Sequence, residues 1–277
     1  MCDGVRQNVS VDEIFAGLIS VMEDAAAMVR ASPATTAERK GHQDYVTDVD
    51  LKLDQMLETR LGGLVAGAPV FSEERPATQG DPVSLWWIVD PIDGTGNLIA
   101  GLPFVGVAVA LVDASGPLLA AVAAPFQYHM WTALRGSGAW LDGKPLELSQ
   151  ALPPDLVVAS TGLLDRINCE FSEAWIALRR VGKLRNLGAQ SLHLCGVASG
   201  WFAAALSIEA KIWDESAGGL IVREAGGIWS SAADNVDWTI PEIVFSISSQ
   251  NSLAAHPAVA ALLEGPMARI FAGANSG

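Results

Sequence analysis

Two aspartates, three residues apart, end an apolar stretch in the first half of the chain. Residues 86–95 have the sequence WWIVDPIDGT. The four apolar residues predict a buried strand, the proline predicts that ladder pairing stops, and the glycine permits a tight turn. Asp90 and Asp93 are therefore expected on one turn beside the Thr95 hydroxyl. Mg²⁺ prefers such oxygen ligands, and the complete D-P-I-D-G-T string favours a metal site over an ordinary Asp-Pro turn.

Three further acidic residues lie at the ends of predicted elements. Glu73 follows a short apolar strand, Asp50 opens a predicted helix, and Asp214 follows Trp213 at the start of another helix. Taken singly, each is more often a helix cap or a solvated surface residue. Gathered into one site, these carboxylates would repel one another unless cations neutralised them. Such a site would bind metal ions, and Mg²⁺ is expected to raise the thermal stability of the protein.

Hydrophobic periodicity predicts the helices and strands that position these residues. Residues 9–31 have helical spacing with Ser10 as N-cap, and a second amphipathic helix follows residues 44–50 and closes at Gly62-Gly63. Strands are predicted at 69–72, 86–90, 104–112, 118–126, 130–134, 139–140, 157–160, 184–187 and 243–248. Further helices are predicted at 169–180, 188–202, 216–225 and 256–264, and polar loops at 34–43 and 75–84.

The almost entirely apolar segment 98–126 resembles a membrane span in length. Residues 113–117 (DASGP) divide it into two pieces of strand length, which favours a buried β-hairpin. Asp142-Gly143 predicts another hairpin with a primed turn, and Pro153-Pro154 predicts a boundary between two halves of the chain.

Composition excludes several classes of protein. Half of the 277 residues are hydrophobic and 17% are charged, which predicts a folded chain with a substantial core. Seventeen basic and 31 acidic residues give a net charge of −14, which argues against nucleic-acid or anionic-membrane binding. Cys2, Cys169 and Cys195 are scattered, so we expect inert thiols and a reducing, cytoplasmic compartment. The N-terminus also lacks the apolar core of a signal peptide.

Several motifs, in order, resemble those of the inositol monophosphatase family of Mg²⁺-dependent, lithium-sensitive phosphatases. They span about residues 40 to 227. The motifs are VTDVD at 46–50, FSEE at 71–74, DPIDGT at 90–95 with Asn97, Gly101, Pro103 and Phe104 after it, Arg185 with Gly188, WDxxAG at 213–218 and EAGG at 224–227. Leu98 stands where the family usually has an aromatic residue, and Ser216 where it usually has alanine.

The resemblance implies a fold and a metal content. The fold would be α+β, a layered αβαβα sandwich of the sugar-phosphatase type. It would form a single domain over residues 1–277, in which a subregion of about 1–150 carries the metal site and 151–277 completes it. Two or three Mg²⁺ ions would be held by Glu73, Asp90, the Ile92 carbonyl, Asp93 and Asp214, with Asp90 bridging two ions. The family also implies a homodimer.

The resemblance further implies the hydrolysis of a small phosphate ester such as inositol 1-phosphate. Phosphate monoesters resist hydrolysis because ester and nucleophile are both anionic, and two metal ions would assist an in-line attack by water. Catalysis would depend on Glu73, on Thr95 to orient the water, and on Asp50 to polarise Thr95. The substrate contacts would be Asp93, the amides of Gly94 and Thr95, Gly188, Ala189, Ser207 and Lys40. A solvated loop lysine is the alternative interpretation of Lys40.

The leaving group is less well determined by these motifs. Inositol-specific members have a glutamate seven residues before the W-D aspartate, where this chain has Ser207, with Glu209 nearby but out of register. Residues 211–214 (KIWD) are similar to members that act on adenosine bisphosphates. Activity as a 3′(2′),5′-bisphosphate nucleotidase, histidinol-phosphatase or fructose-1,6-bisphosphatase remains an alternative, as does a non-catalytic metal-binding regulator.

Overall fold

The helices and strands form five alternating layers, helix, sheet, helix, sheet, helix. A computed structural model describes residues 10–32, 36–41, 44–78, 82–148, 155–170, 172–231, 234, 236–246 and 250–274. Three hydrophobic clusters lie between the layers. The α+β class and the αβαβα sandwich expected from the resemblance are therefore confirmed.

The first two layers are a helix pair and a seven-stranded sheet. Helices α1 (Val11–Ala31) and α2 (Asp48–Leu64) cover one face of the sheet. In spatial order its strands are β3 (Val70–Ser72), β4 (Leu85–Asp93), β5 (Gly106–Asp113), β6 (Gly116–Ala124), β7 (His129–Leu134), β8 (Gly138–Leu141) and β9 (Lys144–Leu146). All neighbours are antiparallel except β3 and β4, which are parallel.

The remaining layers are two central helices, a five-stranded sheet and three outer helices. The central helices are α6 (Gln190–Ala198) and α7 (Ile212–Glu224). In spatial order the strands are β11 (Lys183–Arg185), β10 (Leu156–Ala159), β12 (Ala204–Ala210), β14 (Gln250–Ala255) and β13 (Ile228–Ser230). The outer helices are α4 (Thr161–Glu170), α5 (Ser172–Val181) and α9 (Pro257–Ala274). Smaller elements are β1 (Ala37–Gly41), β2 (Asp44–Thr47), α3 (Thr95–Ala100) and α8 (Pro241–Ser246).

The central strands of the larger sheet are apolar on both faces because helices cover both. Trp86 packs toward the central helices and its neighbour Trp87 toward α1 and α2, as the alternation of side chains along a strand requires. The segment 98–126 contains the β5–β6 hairpin, which confirms the prediction made for it. Asp142 and Gly143 have φ values of 51° and 74°, in agreement with the predicted primed turn.

Pairing between β4 and β5 is interrupted at the proline but resumes beyond it. Asp90 pairs with Ala108 and Asp93 with Gly106, so β4 has one more residue than β5 across this interval. The bulge re-aims the strand without ending it. The prediction that pairing stops at Pro91 was therefore right only locally.

Several predicted elements were wrong in type or extent. The strand predicted at 243–248 is wrong, because residues 241–246 form α8 and the strand lies at 250–255. The apolar residues at 243–245 are compatible with the periodicity of a strand and with that of a helix. Pro241 in the first helical turn favours the helix. The helix predicted at 169–180 corresponds to α5 at 172–181, and the preceding helix α4 at 161–170 was not predicted.

Other boundaries moved in ways that affect the site. The loop predicted at 34–43 contains β1, which pairs with β2. The helix predicted from residue 216 begins at Ile212, so Asp214 lies inside its first turn. The alanine-rich strand β12 was not predicted at all, because alanine carries no strand signal.

Some predictions lie outside the described residues, among them the boundary at Pro153-Pro154 and everything said of residues 1–9. The single domain with two subregions stays a prediction. Burial raises the pKa of the Cys195 thiol, in keeping with an inert residue. Within the described ranges, no helix is both long enough and apolar enough to cross a lipid bilayer.

We expect Gly219→Ala to destabilise the protein by about 1–3 kcal/mol through overpacking. A Cβ at Gly219 in α7 would lie 2.4 Å from the Trp229 ring of β13. Gly63→Ala in α2 is the matched control, because its Cβ would meet nothing within 4 Å. It should be neutral or stabilising by up to about 1 kcal/mol. Denaturant unfolding checks both, and equal midpoints for the two variants would contradict the packing argument.

Candidate metal centre

The turn at the end of β4 brings two buried carboxylates to the edge of the larger sheet. Asp90 is 1% exposed and Asp93 is 8% exposed. Gly94, at φ 90°, follows them, and a Cβ there would lie 3.0 Å from the carbonyl oxygen of Gly188 and 3.1 Å from that of Phe104. Only glycine therefore fits where this turn packs against the loop before α6.

Asp214 reaches the same place from the first turn of α7. Its Oδ2 accepts a hydrogen bond of 2.6 Å from the backbone N–H of Lys211, which caps the helix. One carboxylate oxygen each from Asp90, Asp93 and Asp214 lie within 4.8 Å of one another. The interpretations of Asp214 as a helix cap and as a site residue are thus compatible, because the cap uses only one of its oxygens.

Asp93 caps a helix that lies 97 residues further along the chain. Its Oδ1 accepts the backbone N–H of Gln190 at 3.1 Å, and its Oδ2 accepts the backbone N–H of Ser191 at 2.6 Å and the Ser191 hydroxyl at 2.5 Å. Sequence reasoning missed these partners. A signal existed, since Ala189 at the N-cap of α6 has no side chain that could cap the helix.

The electrostatics of this cluster favour a cation. Neither oxygen of Asp90 receives a hydrogen bond from an N–H or O–H group of the described residues. Burial raises the pKa of Asp90 well above its usual range, and the neighbouring charges of Glu73, Asp214 and Asp93 add to this. Burial likewise raises the pKa of Asp93 to about 6, and burial followed by the Asp93 charge raises that of Asp214.

The donor set fits Mg²⁺. Buried anionic oxygens without a hydrogen-bond donor are costly, and a hard divalent cation with oxygen ligands would satisfy them. Asp90, Asp93 and Asp214 are the residues whose described positions could hold such an ion together. Glu73 and Ile92 line the same pocket.

Glu73 lies in a turn that other residues hold in shape. Ser72 and Arg75 exchange two backbone hydrogen bonds of 3.1 Å across it. Asp54 of α2 accepts the Ser72 hydroxyl at 2.6 Å and the Arg75 Nε at 2.6 Å. Lys40 of the β1–β2 hairpin lies 3.2 Å from Glu73 and also contacts Glu74.

Thr95 and Asp50 lie beside the carboxylate cluster. The Thr95 hydroxyl is 3.1 Å from Asp50 Oδ1 and 3.1 Å from the Ile92 carbonyl oxygen, and can donate to either. The other oxygen of Asp50 accepts the backbone N–H of Thr47 at 2.9 Å and caps α2. Burial raises the pKa of Asp50. The structure therefore brings together Asp50, Thr95 and the predicted metal ligands.

A pocket of 420 Å³ opens onto these groups. It is lined by Tyr45, Glu73, Asp90, Ile92, Asp93, Gly94, Thr95, Gly96, Asn97, Gly188, Lys211, Trp213 and Asp214. Tyr45 and Gly96 were not singled out from the sequence. A larger cavity of 700 Å³ lies between α1 and the β7–β8 edge, away from the carboxylates.

Three predicted substrate residues are not among those that line the pocket. Ala189 is buried behind Gly188, and Lys40 is held by the glutamates. Ser207 is 1% exposed, and its hydroxyl accepts the backbone N–H groups of Glu209 and Ala210. The Glu209 carboxylate accepts the backbone N–H of Gly162 at 2.8 Å, at the start of α4.

Comparison with known proteins bears on the family. The model of the inositol monophosphatase family matches residues 8–265 of the chain. The protein is 33% identical over 204 residues to Nus factor SuhB of Escherichia coli K12. This match covers 71% of this chain and 75% of that protein. It is 32% identical over 237 residues to inositol monophosphatase 3 of Solanum lycopersicum, and this match covers 80% of this chain and 87% of that protein. The resemblance of the motifs is thereby confirmed.

The fold has close structural counterparts. The crystal structure of extragenic suppressor protein suhB from Bartonella henselae superposes with a TM-score of 0.76. The match covers 92% of this chain and 98% of that chain, at 24% sequence identity. Similarity at that identity supports the fold and leaves the chemistry to the site itself.

Mg²⁺ should raise the melting temperature of the protein, and more so at about pH 7.5 than at about pH 5. Because the pKa of Asp93 is raised to about 6, this carboxyl is protonated at the lower pH, and a cation must displace the proton. By the same linkage, its contribution to metal-free stability is present at low pH and is lost as the pH rises through about 6. A rise of about 5–10 °C is expected at a hundredfold excess over Kd.

Thermal unfolding in EDTA and in Mg²⁺, at both pH values, checks this expectation. Titrating groups that do not bind Mg²⁺ cancel in the difference between the two solutions, whereas the raised pKa values of Asp90 and Asp214 act in the same direction as that of Asp93. Asp93→Asn should abolish most of the Mg²⁺-induced rise in melting temperature. Asp237 is a fully exposed carboxylate, so Asp237→Asn should preserve that rise. An equal Mg²⁺ shift at both pH values would contradict the assignment of a raised pKa to the metal-binding carboxyl.

Proposed function

The chain belongs to the inositol monophosphatase family, and we propose that it is a Mg²⁺-dependent phosphomonoesterase that hydrolyses a small phosphorylated substrate such as inositol 1-phosphate. One observation carries the proposal above the others. The carboxylates of Asp90, Asp93 and Asp214 converge to within 4.8 Å at a pocket, and Asp90 has no donor to satisfy it.

The metal would be held by Glu73, Asp90, the Ile92 carbonyl, Asp93 and Asp214, as two or three Mg²⁺ ions. When bound, the ions supply the positive charge that an anionic ester and an anionic transition state require. The carboxylates would otherwise repel the phosphate. Fixed in place by helix caps, Asp93 and Asp214 would present their charge with little rearrangement on binding.

Thr95 and Asp50 would orient the attacking water. While the Thr95 hydroxyl donates to Asp50 Oδ1, its oxygen is left to accept a hydrogen bond from a water. Asp50 is itself held by the backbone N–H of Thr47, so this acceptor of the Thr95 hydroxyl is fixed in place. The backbone amides of Gly94 and Thr95 would receive phosphate oxygens, since both residues line the pocket.

The leaving group would extend toward Gly188, Lys211 and Trp213, which line the pocket beside the carboxylates. Neither Ser207 nor Glu209 lines it, so a carboxylate that binds polyol hydroxyls has no counterpart among the lining residues on that side. Inositol 1-phosphate is therefore one representative of the substrate class. The alternatives from sequence analysis, the bisphosphate nucleotidase, histidinol-phosphatase and fructose-1,6-bisphosphatase activities, belong in the same test.

We further infer a cytoplasmic homodimer without nucleic-acid or anionic-membrane partners. The few scattered cysteines support a cytoplasmic setting, and the family supports a homodimer. The acidic net charge of −14 supports the absence of nucleic-acid and anionic-membrane partners. Relatives include a protein named Nus factor as well as one named inositol monophosphatase, so a non-catalytic role remains an outcome of the test.

Phosphate release from a panel of esters tests the function directly. The panel is inositol 1-phosphate, histidinol phosphate, fructose 1,6-bisphosphate and adenosine 3′,5′-bisphosphate, each with Mg²⁺ and with or without lithium. We expect release from at least one member, inhibition by lithium, and loss of activity in Asp93→Asn. If a protein that still binds Mg²⁺ releases phosphate from no member of the panel, the non-catalytic regulator would be favoured.

Asp50→Asn and Thr95→Val should lower kcat by about 10²- to 10³-fold, because Thr95→Val removes the hydroxyl and Asp50→Asn removes the carboxylate that orients it. Thr95→Ser should keep most of the activity. Since neither residue belongs to the carboxylate cluster, the Mg²⁺-induced rise in melting temperature should survive in all three variants. Asp48→Asn, in the same helical turn as Asp50 but paired with Lys52, is the control and should resemble the wild type. Full activity in Thr95→Val would refute the role of the hydroxyl.

A further inference from the structure

A directional series of buried hydrogen bonds connects the wall of the pocket to Glu215, and we propose that two of its members, Gln190 and His193, are positioning residues for substrate binding. We call the series the relay; it runs from the Leu187 N–H through His193 and Gln190 to Glu215. The inference rests on the proposed function, because it assigns the relay to the leaving-group side of that site.

The relay holds the loop that forms this side of the pocket. Leu187 precedes Gly188, which lines the pocket in a left-handed conformation at φ 78°. The Leu187 N–H donates to His193 Nε2 at 3.2 Å, and the Leu187 carbonyl oxygen accepts Asn97 Nδ2 at 2.8 Å. Both polar backbone groups of Leu187 are therefore held, one by the relay and one by the turn that follows the carboxylates.

The direction of every bond in the relay follows from its first donor. Because the Leu187 N–H can only donate, His193 Nε2 must accept, so a neutral His193 carries its proton on Nδ1. That proton is donated to Gln190 Oε1 at 3.1 Å, and Gln190 Nε2 then donates to Glu215 Oε1 at 2.8 Å. Burial lowers the pKa of His193 to about 4, in keeping with a neutral ring.

Glu215 terminates the relay as an acceptor that cannot be reversed. It is fully buried at 0% exposure. Its Oε2 accepts the Trp229 Nε1–H at 2.8 Å and the Ser252 hydroxyl at 2.7 Å. A flipped Gln190 amide would set its Oε1 against the Glu215 carboxylate and its Nε2 against the His193 Nδ1–H. A buried network with all members satisfied specifies one arrangement, and here that arrangement fixes the loop.

The relay can be broken without touching the metal cluster. The backbone N–H of Gln190 donates to Asp93, which caps α6, whereas the Gln190 side chain belongs to the relay. A change of side chain therefore leaves the cap in place. Neither Gln190 nor His193 lines the pocket, so neither would touch the substrate. Loss of the relay should free the Gly188 loop while Asp90, Asp93 and Asp214 keep their positions.

The test compares His193→Phe and Gln190→Met with the wild type on the ester that the panel identifies. His193→Phe keeps a ring against Phe104 but removes the acceptor for the Leu187 N–H. We expect KM to rise about tenfold, the equivalent of one lost hydrogen bond. The kcat, the Mg²⁺ half-saturation and the inhibition constant of inorganic phosphate should stay within about twofold, since the metal side is intact.

Two controls separate positioning from general loss of stability. His193→Gln places an acceptor at the same distance along the side chain as Nε2, so its KM should be close to that of the wild type. If His193→Phe does not fold, Gln190→Met and His193→Gln still test the inference. Leu263→Ala in α9 truncates a fully buried side chain in the hydrophobic cluster between the five-stranded sheet and the outer helices, which contains no member of the relay. It should lower the melting temperature without changing KM.

Amide hydrogen exchange at Leu187 gives a readout that needs no substrate. Exchange should accelerate in His193→Phe and Gln190→Met and recover in His193→Gln. Unchanged exchange, or unchanged KM in folded variants, overturns the inference, as does a KM increase that Leu263→Ala shares. If no ester in the panel is hydrolysed, the proposed function fails, yet accelerated Leu187 exchange would still support the relay as the support of the loop.

Discussion

The burial of several carboxylates at one point is the constraint on which this structure depends. Charge removed from water is costly, and like charges side by side are more so. The fold offsets part of this cost with the positive ends of helices. Asp50 caps α2, Asp214 caps α7, and Asp93 caps α6 from a distant strand. Three helices from two layers therefore begin at the same site. Asp90, which has no such donor, marks where a cation is needed.

How much of this could be predicted from sequence depended on whether the signal was local. The D-P-I-D-G-T turn, the β5–β6 hairpin and the acidic residues were read from neighbouring residues, and the structure brings the acids together. Asp93 and Gln190 of α6 are 97 residues apart in the sequence, and the hydrophobic periodicity of the sequence does not predict contacts between such distant residues. Ser207, found by counting back seven residues from Asp214, does not line the pocket, and β12 has a register shift between Ser207 and Ala210.

The two sides of the pocket are held by different physical means. On the metal side, fixed charges lie at helix termini and depend on a cation for balance. On the leaving-group side, neutral donors and acceptors hold the Gly188 loop, and Asn97 links that loop to the turn after β4. Charge interactions act over several ångströms, whereas hydrogen bonds set position to within tenths of one. We infer that, in the proposed function, the reaction chemistry depends on the carboxylates and the choice of leaving group on the Gly188 loop.

The adjacent residues Trp86 and Trp87 have a consequence for how the molecule unfolds. They belong to different hydrophobic clusters on opposite faces of β4, so this one strand is a wall shared by two cores. Neither core can open without exposing the strand that contains Asp90 and ends at Asp93. We therefore expect the two clusters to unfold in one cooperative step. Asp90 and Asp93 lie at the end of this strand, so local fluctuations that leave both cores closed should do little to relieve their repulsion.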